Sequence, residues 1–89
     1  MYSYEEERPR IFTEEGMKMF MQIRDRVKEL LKFSGAATVG KIMDGVTGGD
    51  SFEMIACIDY LVERYEIKYV NILGEGWKQH QVVAEVRKY

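Results

Sequence analysis

From Asp50 to Val70 the spacing of apolar residues changes once, and the change divides the stretch into two elements. Ile55, Ile58, Leu61, Val62 and Tyr65 recur at the interval of one buried helical face. Asp50 followed by Glu53 is a capping-box-like start, and Gly48 and Gly49 stand just ahead of it. A helix over 50–65 is predicted. Beyond Glu66, the residues Ile67, Tyr69, Val70 and Ile72 are β-branched, apolar or aromatic and suit a strand.

The preceding chain repeats the helical period twice. Thr13 can cap a helix whose first turn carries Glu14 and Glu15, with Phe12 and Met17 placed as a hydrophobic staple. Phe20, Ile23, Val27, Leu30 and Leu31 form its stripe, and Gly35 ends it after about Phe33. Ala36 to Thr38 is long enough only for a stub of strand. Thr38 then caps a short helix reaching about Gly45, with Val39, Ile42 and Met43 inward. The C-terminal third reads as an antiparallel hairpin, 67–73 against 80–87, around the loop Gly74 to Gln79. In its second strand Val82, Ala84 and Val86 alternate with Gln81, Val83, Glu85 and Arg87, which predicts one buried face. The first strand is apolar on both faces, so a bulge or a second covering surface is expected there.

The expected architecture is an α+β domain over residues 13–89, three helices followed by a two-stranded antiparallel hairpin. Residues 1–12 show no periodicity and hold Pro9, the only proline, so they read as a flexible arm. The predicted core is Phe20, Ile23, Val27, Leu30, Ile42, Ile55, Ile58, Leu61, Val62, Ile67 and Val82.

Composition narrows the class. Eighty-nine residues with 46% hydrophobic content suit one domain with a core of its own. A formal charge of −2 offers no global attraction to nucleic acid or an anionic membrane, so such binding would need local patches. The single cysteine, Cys57, allows no intrachain disulfide and suits a reducing compartment. No apolar run approaches the roughly 18 residues of a membrane span, and a soluble, cytoplasmic protein is expected.

The chemistry-bearing residues do not assemble into a catalytic set. His80, the only histidine, falls in the hairpin, and Cys57 falls in a helix near the edge of its apolar face, where a half-buried position is expected. Neither has a general base, a metal-ligand set or a nucleophile partner at useful spacing. Gly45 to Gly49 opens a helix but lacks the Lys-Ser/Thr ending of a phosphate loop and follows a helix, so it reads as a turn. The expectation is a protein that is not an enzyme and carries no cofactor and no metal.

Helix, short helix, turn, longer helix and hairpin, with the run Ala56 to Val70 (ACIDYLVERYEIKYV) carrying Ile58, Leu61 and Ile67, resembles a winged helix-turn-helix domain. The resemblance covers roughly residues 13–88 and rests on hydrophobic spacing. It implies a third helix able to enter a DNA major groove and a wing able to touch the backbone. This chain departs from that use in charge. Residues 50–66 hold five acids (Asp50, Glu53, Asp59, Glu63, Glu66) against Arg64, a local −4, whereas phosphate contact calls for Lys or Arg. Residues 67–89 instead hold four bases and two acids.

Two functions follow from that reading. One is a regulator associated with double-stranded DNA through wing and basic flank, with Lys41, Trp77, Lys78, His80, Arg87 and Lys88 as contacts. The other is a protein-interaction or dimerisation module without DNA binding. Met17, Met19 and Met21 widen the apolar surface of the first predicted helix, and with Tyr60 they form the expected interaction surface of a homodimer.

Overall fold

The computed structural model describes residues 1–70 and 80–85. Its elements are α1 (Tyr4–Ile11), α2 (Glu14–Ser34), β1 (Ala36–Thr38), α3 (Val39–Asp44), α4 (Ser51–Glu63), β2 (Ile67–Val70) and β3 (Gln81–Ala84). The three predicted helices are α2, α3 and α4, and their ends follow the caps. The side chains of Thr13, Thr38 and Asp50 accept from the backbone N–H of Gly16, Lys41 and Glu53. Gly35 closes α2 in the left-handed conformation, at φ 74°. The end of α4 takes the same shape without glycine. Tyr65, at φ 61°, donates to the Val62 carbonyl while Glu66 donates to that of Leu61. This turn carries Tyr65 out of the predicted apolar stripe, and the residue is 58% exposed.

The sheet differs from the expected hairpin by one strand. β2 and β3 pair antiparallel, Ile67 opposite Ala84 and Val70 opposite Gln81. β3 also pairs antiparallel with the stub β1, giving a three-stranded sheet in the order β1-β3-β2. Three residues suffice for β1 because β3 supplies its ladder partners, Ala37 lying opposite the fully buried Val82. Ala84, predicted inward, is exposed where the ladder ends. The predicted positions 71–73 and the loop 74–79 lie outside the described residues, as do 86–89.

The segment expected to be a flexible arm is helical. In α1, acids occupy the first turn (Glu5, Glu6, Glu7) and bases the last (Arg8, Arg10), the order that suits the helix dipole. Its one apolar anchor, Ile11, is completely buried. The main core joins Ile11 to Phe20, Ile23, Val27, Ile42, Ile58, Leu61, Ile67 and Val82. Leu30 and Val62, predicted inside, are only partly buried at its margin. Cys57, predicted half-buried, is fully enclosed, and burial pushes its thiol up to about 12.

Candidate functional site

The face of α4 that a groove-binding helix would present is partly covered: Ala56 is buried and Asp59 half-buried, while Phe52 and Glu63 at its edges keep accessible surface. Phe52, Ala56, Asp59 and Glu63 follow at intervals of four, three and four residues, so they share one side of α4. Ile58 and Leu61 point the opposite way, into the core. α1 and the residues before it lie across the outward side. The Tyr2 ring meets Phe52 edge-on at 5.6 Å, and Ala56 has no exposed surface left.

The cover is fastened by charge and by phenols. The Arg8 guanidinium grips Glu63 with two nitrogens, at 3.0 and 2.8 Å, while the Tyr4 hydroxyl donates to the same carboxylate at 3.2 Å. Arg8 holds the Glu63 carboxyl below its usual range, and burial together with Glu63 raises the Tyr4 phenol to about 12. Arg10 reaches Glu7 at 2.9 Å, Asp50 at 3.0 Å and Glu53 at 3.5 Å. Glu66 pairs with Arg24 at 3.1 Å and Arg64 at 2.7 Å. Each of the five acids counted in 50–66 therefore has a partner, and three of them are paired with cations of α1. The pairing satisfies these acids one by one without making the region neutral, since α1 adds Glu5, Glu6 and Glu7 along with Arg8 and Arg10.

Asp59 ties three elements together. Tyr2 donates to one carboxylate oxygen at 2.6 Å, and Tyr69 of β2 donates to the other. Burial, reinforced by Asp59, lifts both phenols well above the ordinary tyrosine value. Hydrogen bonds to a charged group each contribute roughly 1.5–3 kcal/mol, less where water has access. Asp59→Ala is expected to lower unfolding free energy by about 2–3 kcal/mol, read from urea denaturation. An unchanged midpoint would mean that the clamp contributes nothing. The pH dependence has a definite sign. Tyrosines of the unfolded chain lose their protons near pH 10 while Tyr2, Tyr4 and Tyr69 keep theirs. Stability is therefore full below that pH and falls as pH rises above it. Asp59→Ala should make that alkaline decline shallower.

The six expected DNA contacts divide. Trp77, Lys78, Arg87 and Lys88 lie outside the described residues. Lys41 is exposed on α3, and the His80 carbonyl accepts from the Val39 N–H at 2.9 Å, so His80 adjoins the start of the same helix. The expected interaction surface also divides. Met19 is buried in the core and is no surface residue. Tyr60 is half-buried, with Phe20 and Phe12 centroids at 5.1 and 5.3 Å and the guanidinium carbons of Arg8 and Arg64 within 6 Å. Met17 and Met21 do line a shared concavity on the outer side of α2, and Met21 is 47% exposed. Phe12 and Phe33 are further exposed aromatics, 49% and 81% accessible.

Sequence reasoning missed the role of residues 2–10. The acid-before-base order of Glu5 to Arg10 was a legible helix signal, but nothing in it named α4 as the surface it would cover.

Among the described residues no helix is long and apolar enough to cross a membrane, and no group of three or more His, Cys, Asp and Glu could hold a metal ion. Comparison of the chain with protein families, with curated proteins and with solved structures finds no match.

Proposed function

We propose that this chain is a winged-helix module that carries out no chemistry and works by binding protein, a second copy of itself included, without reading DNA through its third helix. The winged-helix assignment is supported by the order of α2, β1, α3, α4 and the antiparallel pair, with β3 reaching back to pair β1. One observation carries the functional reading: α1 covers the outward face of α4 and pairs its acids. Groove entry would require removing a helix whose Ile11 is part of the core. Among the described residues, the Met17–Met21 side of α2 offers a surface for association, where methionine adapts to a partner. A second reading, contact with DNA through the wing and its flank, is favoured by the meeting of His80 with the helix that carries Lys41.

Light scattering and a salt-titrated assay on random duplex DNA separate the two. We expect a dimer mass at high micromolar concentration, returned to monomer by Met21→Asp, and no saturable DNA binding. A monomer at that concentration removes the homodimer. DNA binding whose salt slope falls by about one unit in Lys78→Glu transfers the assignment to the wing. A change of sequence preference in Glu53→Gln alone would place α4 in the groove and end both readings.

A further inference from the structure

Between the C-terminal half of α2 and the sheet lies a cleft of about 330 Å³. Its floor is carbon: Leu31 of α2 and Ala84 of β3 offer accessible surface, over Val27, Leu61 and Ile67, which are almost wholly buried beneath them. Its rim is cationic. Arg24, Lys28 and Lys32 succeed one another at four-residue steps, so they stand in a row along α2 beside that floor. The one acid among the described lining residues, Glu66, is paired with Arg24 and Arg64. Lys28 and Lys32 thus leave positive charge at the mouth of an apolar slot.

The geometry points to a binding site for a small amphipathic anion, a medium-chain carboxylate whose tail lies along Leu31 and Ala84 and whose head meets Lys28 and Lys32. Size argues for a small molecule. The volume is at the lower end of the roughly 300–1,000 Å³ of ordinary ligand pockets, and a helix about 10 Å across would rest over the slot without filling it. Charge argues for an anion, since a neutral chain would leave the lysine row unused. Such binding is independent of whether the chain meets protein or DNA.

Decanoate, below its micellar concentration, is the probe, followed by amide chemical shifts and calorimetry on the intact chain. Saturable shifts are expected at Leu31, Lys32, Ile67 and Ala84. Affinity should rise about fourfold for each methylene from hexanoate to decanoate, as burial of each CH₂ predicts. Lys28→Glu with Lys32→Glu should weaken binding at least tenfold, whereas Lys18→Glu, on the Met17–Met21 side of α2, should leave it unchanged. Both lysines are exposed, so the double variant retains the fold, which its thermal transition will check. Decanol binding as tightly as decanoate, affinity without chain-length dependence, or insensitivity to the lysine pair would each overturn the proposal. Concentration-dependent broadening at the cleft without ligand would show that a second copy occupies it, and would overturn it equally.

Discussion

Gly16→Ala is expected to destabilise this protein by about 3–5 kcal/mol, the opposite of what the substitution does in most helices. Alanine in place of a helical glycine ordinarily adds roughly 1 kcal/mol of stability. Here α1 crosses α2 in contact with Gly16. A methyl at that position would stand 2.8 Å from the Ile11 Cα and closer still to the Arg10 carbonyl oxygen. Both are backbone atoms, so no rotamer change relieves the collision. The neighbouring hydroxyl adds a constraint, since Thr13 accepts from the Gly16 N–H at 3.0 Å and donates to the Arg10 carbonyl at 2.8 Å. Relief comes only by lifting the end of α1, which withdraws Ile11 from the core. The expected cost combines overpacking of roughly 1–3 kcal/mol with partial loss of a buried isoleucine, roughly 2–5 kcal/mol when complete. At about 4–8 °C per kcal/mol for a domain of this size, the melting temperature should fall by more than 10 °C. A rise of a few degrees would show that α1 does not cross at Gly16.

Leu61→Ala should cost about 2–5 kcal/mol, for a different reason. Leu61 is 1% exposed and joins α4 to the core beneath β2. It also forms part of the floor of the cleft between α2 and the sheet. Truncation therefore deepens an existing opening as well as removing contacts with Val27 and Ile67, and the neighbouring strands cannot close over the gap without breaking their ladder. The linear extrapolation from urea or guanidinium measures the loss. A change under about 0.5 kcal/mol would place Leu61 on the surface and overturn the phase of α4.

These two residues differ in how far they can be read from the chain. Leu61 is legible because its neighbours Ile58 and Val62 keep helical period, and a period states which side faces inward. Gly16 carries no such signal. Inside a predicted helix it looks like a weak residue, and only the path of α1 reveals what it makes room for. The same holds for Asp59, which the sequence presents as one acid of an unfavourable cluster and the fold presents as the acceptor of two phenols, one of them 57 positions away.

By itself the sequence determined the local elements: the caps at Thr13, Thr38 and Asp50, the stop at Gly35, the inward sides of α2 and α4, and the antiparallel sense of the pairing expected between 67–73 and 80–87, of which the described part joins 67–70 to 81–84. Capping and periodicity are properties of neighbours within a few positions, so they survive without knowledge of the rest. Tertiary structure alone decided the third strand, the seat of α1 on α4, the burial of Met19, and the aromatic and cationic partners of Tyr60. Each of these joins residues far apart in the chain. Arg8 meets Glu63 across 55 positions and Arg10 meets Asp50 across 40. Charge counted along a segment takes no account of a partner brought by folding, and for that reason the acidic third helix of the sequence is a paired and partly covered helix in the structure.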